Sequence, residues 1–123
     1  MQRIAKALTV ALSEDRPGTL ARATEAIAKA GVNIDGYAEI EGTLHVLTGD
    51  APAARRALEA AGFQVRGEHE VLVIDAEDRP GMAAGLFRRI ADGGVNVTFT
   101  YGATNNRIVV GADDVQKAAR LLQ

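Results

Sequence analysis

The chain has 123 residues, 47% of them apolar and 24% charged, with a formal net charge of −2, a composition typical of ordinary globular proteins. Because no Lys/Arg run exceeds two residues and only three Phe and two Tyr are present, the chain lacks the basic face and stacking platform of a nucleic-acid-binding protein. The lack of cysteine excludes disulfides and thiolate chemistry, and no apolar run approaches the roughly 18 residues of a membrane span, so we expect a cytoplasmic protein without membrane contact.

The first elements are a strand and a helix joined by a tight turn. Residues 6–13 alternate polar and apolar side chains, which predicts a half-buried strand. Pro17 suits the first turn of a helix, where its missing N–H is not needed. Apolar residues then recur at helical spacing, and the helix is predicted to end at Gly31, which adopts the left-handed cap conformation easily.

The next elements predict a hairpin, a second helix and a last short strand. Residues 33–41 form the second strand, and Glu41 begins a tight turn into the third. Asp50 is a good N-cap for a helix over residues 51–61. Residues 63–65 then predict a fourth strand, which completes the ferredoxin-like order βαββαβ.

The second half of the chain repeats this order but lacks the fourth strand. Its predicted elements are a strand over residues 71–74, a helix over 80–92, a strand from 97, a hairpin tip at Asn105-Asn106, a strand over 107–110 and a helix capped by Asp113 or Asp114. Either this unit keeps an open sheet edge or another segment fills the place. An open edge invites pairing with a second chain, which predicts a homodimer.

Two motifs recur at one offset along the chain. The pentapeptide Glu-Asp-Arg-Pro-Gly occupies residues 14–18 and returns at 77–81, and Gly-Val-Asn occupies 31–33 and returns at 94–96, so both pairs lie 63 positions apart. A shared offset indicates a duplicated unit of about 60 residues. We therefore predict two domains, residues 1–67 and 68–123, each an α+β unit with an antiparallel sheet and helices on one face.

The repeated motifs predict a site for an α-amino acid. At the turn before the first helix, free backbone N–H groups favour a ligand carboxylate. Asp15 adds an acceptor for an ammonium group, and Asn33, expected to lie close by, both donates and accepts. The purely structural alternative is that Asp15 only caps the helix and that Asn33 only follows a turn.

Asp-Arg-Pro-Gly opening a helix, followed by Gly-Val-Asn at the start of the next strand, resembles the ACT domain over essentially the whole chain, in two tandem copies. The resemblance implies a regulatory protein of amino-acid metabolism that binds a free amino acid at an interface between ACT units. The ligand-binding residues it implies are Asp15, Gly18, Asn33, Ile34, Asp78, Gly81, Asn96 and Val97. Ser13 and Ala76 stand where the ACT domain of phosphoglycerate dehydrogenase has a histidine.

No catalytic constellation accompanies these motifs. His45 and His69, the only histidines, have no partner at metal-ligand spacing and are interpreted as ordinary polar positions. We therefore expect no metal, no cofactor and no enzymatic activity. The alternative to an amino-acid sensor is an interaction subunit that pairs, without a ligand, with the ACT domain of a metabolic enzyme.

Overall fold

The computed structural model describes residues 2–123, which form an α+β fold with antiparallel strand pairs and four helices in that range. The chain divides into two compact units, Lys6–His69 and a second unit that joins residues 2–5 to Glu70–Gln123. The elements are β1 (Gln2–Ala11), α1 (Thr19–Lys29), β2 (Ile34–Ile40), β3 (Thr43–Thr48), α2 (Ala51–Ala60), β4 (Gln64–Asp75), α3 (Met82–Asp92), β5 (Val97–Ala103), β6 (Arg107–Ala112) and α4 (Val115–Leu121).

In the unit Lys6–His69, β3 lies between β1 and β2 and runs antiparallel to both. Thr43 pairs with Ala11 on one side and with Ile40 on the other. The end of β1, the start of β3 and the end of β2 therefore lie at the same end of the sheet. Since β1 and β2 therefore run parallel, α1 carries the chain from one end of the sheet back to the other.

The core of this unit is formed by the inward faces of its strands and helices. Alternation along β1 and β3 and apolar spacing along α1 and α2 bury one side of each element. The buried residues are Leu8, Val10, Leu12, Ala23, Ile27, Leu44, Val46, Ala51, Ala54, Leu58, Phe63 and Val65. The predicted strand over residues 63–65 is the beginning of β4, which continues without a break through the predicted strand over 71–74.

The second unit repeats this plan, with β6 paired antiparallel to β4 and β5. Its core contains Leu72, Ile74, Leu86, Ile90, Val95, Val110 and Ala118. Residues 2–5 complete the unit, since Ile4 packs against this core and the Gln2 Nε2 group donates to the Ala119 carbonyl at 2.6 Å. The first residues of β1 thus belong to the second unit, although the rest of that strand belongs to the first.

Local signals explain both hairpin tips and two helix starts. Glu41 has φ 48° and Asn105 has φ 62°, as the predicted tight turns require. Asp50 accepts from the Ala53 N–H at 3.1 Å and Asp114 accepts from the Lys117 N–H at 2.9 Å, which confirms both as N-caps. In residues 2–123, no helix combines the length and apolar character needed to cross a bilayer.

Candidate functional site

The first candidate site is the turn between β1 and α1, which faces the tip of the β2–β3 hairpin. The Leu12 N–H donates to the Gly42 carbonyl at 2.7 Å and ties the turn to that tip. A cavity of about 560 Å³ lies between them. It is lined by Leu12, Ser13, Glu14, Asp15, Arg16, Gly18, Thr19, Leu20, Glu39, Glu41 and Gly42.

Helix α1 begins at this cavity without a side-chain cap. Gly18 is the N-cap residue with φ 96°, and no side chain accepts a hydrogen bond from the first turn, which rules out the interpretation of Asp15 as a cap. The Thr19 hydroxyl instead donates within the loop, to the Glu14 carbonyl at 2.9 Å. In the described chain, no protein acceptor takes the N–H groups of Leu20 and Ala21, which therefore remain available to an anion.

Carboxylates dominate the rim of this cavity. Glu14, Asp15, Glu39 and Glu41 line it, together with one guanidinium, that of Arg16. Arg16 pairs with Glu14 at 2.5 Å, which leaves a net negative rim beside the positive end of the helix dipole. This arrangement offers one place for an ammonium group and another for a carboxylate.

The second candidate site is the corresponding turn between β4 and α3. Gly81 is the N-cap residue, with φ 86° and no side-chain cap, and the Ala76 N–H donates to the Asn106 carbonyl at 2.9 Å. A cavity of about 400 Å³ lies here, lined in part by Asp78 and Arg107. With Glu77 and Arg79 also at this cavity and paired at 2.9 Å, carboxylates and guanidiniums balance, so the two turns differ in charge.

The asparagines do not join these turns within a unit, so the predicted closeness of Asn33 to Asp15 was wrong. Asn33 precedes β2, whose first residue, Ile34, pairs with Thr48 at the end of β3. The last residue of β1, Ala11, pairs with Thr43 at the start of β3, so Asn33 lies at the opposite end of the sheet from the turn that follows β1. Helix α1 has 11 residues and spans about 16 Å between the two ends of the sheet. The same topology separates Asn96 from Asp78, because β5 begins where α3 has ended.

The predicted residues at that opposite end of the sheet have other contacts. The Asn33 Nδ2 group donates to Asp35 Oδ1 at 2.9 Å, and the Asn96 N–H donates to Asp113 Oδ1 at 3.1 Å. Ile34 and Val97 are half-buried and pack against the cores of their units. The structure thus brings Asp15 and Gly18 together at one cavity and places Asn33 and Ile34 elsewhere.

Sequence reasoning missed the hairpin residues Glu39, Glu41 and Gly42 as part of the first site. The sequence contained the information needed, because the predicted turn at Glu41 places the end of β2 and the start of β3 at the same end of the sheet. The pairing of β1 with β3 places the end of β1 at that same end of the sheet. The hairpin tip could therefore have been assigned to the cavity from topology alone.

Neither histidine belongs to these cavities. The His45 Nδ1 atom lies 3.4 Å from the Thr9 hydroxyl on the sheet. Burial first, and the nearby His69 second, lower the pKa of His45 from its ordinary value of 6.5. Among residues 2–123, His, Asp and Glu side chains form no group of three that could hold a metal ion.

The shift at His45 predicts a loss of stability in mild acid. Because the folded state disfavours the charged ring, the unfolded chain binds the proton more readily once the pH falls below 6.5. The stability contributed by neutral His45 is complete above that pH and is lost as the pH falls through the folded-state pKa. Urea midpoints between about pH 7 and 5 should fall less steeply for His45→Gln than for the wild type. An equal slope in both proteins would contradict the assignment; His69→Gln should give an intermediate slope.

Comparison with known proteins gives structural matches only. No protein-family model and no curated protein sequence matches the chain. A solved protein from Bacteroides thetaiotaomicron is 28% identical, with a TM-score of 0.83 over 98% of this chain and 88% of that chain. The regulatory subunit of aspartate kinase from Thermus thermophilus is 20% identical, with a TM-score of 0.68 over 98% of this chain and 93% of that chain. Aspartokinase III from E. coli is 17% identical, with a TM-score of 0.68 over 99% of this chain and 31% of that chain.

Proposed function

We propose that this chain is a tandem ACT-domain regulatory protein of amino-acid metabolism, and that it acts by reversibly binding a free amino acid rather than by catalysis. The observation that carries the proposal is the first turn cavity, where uncapped helix amides and a net negative rim complement a zwitterion. The shared fold with a regulatory subunit of aspartate kinase supports the regulatory role. The proposed setting is the cytoplasm, and the role needs no cofactor, metal, nucleic acid or membrane.

The proposed ligand contacts come from two ACT units in a homodimer. Within one unit, about 16 Å of helix separates Gly18 from Asn33, which exceeds the reach of a small amino acid. We therefore propose that Asp15 and Gly18 of one chain and Asn33 and Ile34 of its partner contact the same ligand. Asp78, Gly81, Asn96 and Val97 form the corresponding proposed set in the second unit.

The proposed regulatory signal is a shift between monomer and dimer, caused by a ligand that binds the two with different affinity. A ligand shifts an equilibrium only by its differential affinity for the two states. An amino acid that bridges two chains binds the dimer and has no equivalent site on the monomer. We therefore expect ligand binding to strengthen dimerisation. The proposed partner that responds to the dimer is an enzyme of amino-acid metabolism.

The experiment is a calorimetric titration of the full chain against the twenty amino acids. One or a few should bind, and Asp15→Ala should weaken binding about tenfold, because it removes the acceptor for the ammonium group. Asn33→Ala should weaken it similarly. Glu25→Ala, an exposed change on α1 outside the cavity, is the matched control and should bind as the wild type does. Light scattering on the same samples should give a mass above that of the 12.9 kDa monomer.

Heat from none of the twenty at millimolar concentration, together with an unchanged melting temperature, would reject the sensor. Unaltered affinity in both Asp15→Ala and Asn33→Ala would reject only the assigned contacts. A monomeric mass in the presence of bound ligand would reject the bridging geometry.

The second candidate function is a ligand-independent interaction subunit. Two large apolar side chains on β2 are exposed, Tyr37 at 59% and Ile40 at 66%, and each offers apolar area that a partner protein could cover. Capture from native extract with and without added amino acids separates the candidates. A stoichiometric enzyme partner whose yield ignores ligand and falls in a Tyr37→Ser/Ile40→Ser variant would favour this function.

A further inference from the structure

A cavity of about 730 Å³ in the second unit lies beside helix α3, and Asn96 is not among the residues that line it. Its floor is apolar, formed by side chains that also belong to the core of the unit. Ile74 and Leu86 are buried, and Met82 and Leu122 are half-buried. The cavity therefore offers hydrocarbon contact to a molecule that enters from solvent.

The first unit has an arginine at the helix position that corresponds to Gly85. There Phe63 is 9% exposed and packs in the core, and the Arg22 guanidinium lies over its ring at 5.2 Å. At the 63-residue offset, Gly85 stands where the first unit has Arg22. A Cβ built on Gly85 meets no atom within 4 Å, so the cavity opens where the first unit has an arginine.

The rim of the cavity carries two guanidiniums. Arg79 and Arg89 line it, together with the carboxylate of Asp75, and Arg79 also pairs with Glu77 at 2.9 Å through its Nε atom, which leaves its terminal N–H groups at the rim. The Arg89 Nη2 group donates to the Leu121 carbonyl at 2.8 Å, which holds the side chain at the rim. Since a guanidinium has five N–H donors, Arg89 keeps donors for a ligand. The first unit has Ala26 at the position of Arg89, so this charge also distinguishes the two units.

We propose that this cavity binds a small carboxylate with an apolar tail, the tail on the floor of Ile74, Met82, Leu86 and Leu122 and the carboxylate at the guanidiniums of Arg79 and Arg89. This cavity adjoins the second turn cavity, with which it shares Arg79 and Met82, but its floor of Ile74, Leu86 and Leu122 belongs to neither turn–asparagine set of the proposed function. It requires the negative charge and the hydrocarbon tail but no ammonium group. A hydrocarbon chain without charge gains only the floor, and a short anion without a tail gains only the rim.

The test is a titration of the full chain with hexanoate, followed by methyl and amide NMR. Hexanoate should shift the methyl signals of Ile74, Met82, Leu86 and Leu122 and the Gly85 amide together, with one affinity. Hexanol and hexylamine, which share the tail, should bind at least about tenfold more weakly, because they lack the carboxylate. Acetate should bind more weakly than hexanoate, because it leaves the apolar floor uncovered.

Gly85→Leu is the blocking variant, because it fills the cavity from a helix position where glycine is a poor helix former. It should abolish the hexanoate shifts, and Ala84→Leu, an exposed change next to it outside the cavity, should leave them unchanged. Arg79→Gln should weaken binding, and Arg16→Gln, its counterpart at the other turn, should not. Equal binding of hexanoate and hexanol, retained binding in Gly85→Leu, or shifts spread over the whole surface would each overturn the proposal.

Discussion

Replacing Ile27 by alanine should lower the free energy of unfolding by about 3 kcal/mol, because the change leaves a cavity in a fully buried core. Ile27 is 0% exposed and packs in the core of the first unit. Ile90, 63 positions later, is also 0% exposed and packs in the core of the second unit. The same change at Ile90 should have a similar cost, which makes the two variants an internal comparison of the two cores.

Urea unfolding followed by far-ultraviolet circular dichroism measures both variants. Glu25→Ala, on the exposed face of α1, is the control and should change the free energy by less than about 0.5 kcal/mol. A loss below about 1 kcal/mol at either isoleucine would contradict the burial of that side chain. Separate transitions for the two variants would show that the units unfold independently.

Replacing Gly111 by alanine should destabilise the second unit by about 2 kcal/mol, although alanine is normally the better residue inside a strand. A Cβ built on Gly111 would overlap the ring of Phe99 on the neighbouring strand. The Phe99 ring would have to shift to make room, and its stacking on Tyr101, with the ring centroids 6.2 Å apart, opposes that shift. Thermal and urea unfolding of the single variant measure the loss.

A double-mutant cycle isolates the cause. Phe99→Ala removes the ring, so Gly111→Ala should cost at least about 1 kcal/mol less in that background than in the wild type. The first unit supports this interpretation, because the strand pair that corresponds to Phe99 and Gly111 is Gly36 and Leu47, with the large and small positions exchanged. Strict additivity of the two changes would show that the ring does not exclude the Cβ. Gly102→Ala, at an exposed position of the same strand pair where a Cβ meets nothing, is the control.

Elements governed by neighbouring residues were predictable. The positive φ values at Glu41 and Asn105 and the caps at Asp50 and Asp114 follow from side chains within a few positions along the chain. The helix after each Pro-Gly pair begins about two residues later than predicted, at Thr19 and at Met82, because the glycine takes the left-handed conformation and becomes the N-cap. Local steric rules set these features, so the sequence is sufficient for them.

The candidate site was only half predictable. Asp15 and Gly18 share a cavity as expected, because they belong to one turn. The placement of Asn33 beside them failed, because the direction of β2 relative to β1 is decided by pairing with β3. The acidic hairpin tip at Glu39 and Glu41 was missed for the same reason, since its position depends on strand pairing across more than 25 residues.

The sequence by itself determined the duplication, the order of helices and strands, and the turns that leave two helix starts uncapped, because repeats, periodicity and capping are encoded by near neighbours. Only the tertiary structure decided that residues 2–5 join the second unit, that Asn33 and Asp15 lie at opposite ends of the sheet, and that Gly85 lines a cavity in the second unit. These outcomes depend on contacts between segments distant in the chain, whose free energy comes from burying shared surface rather than from any local preference.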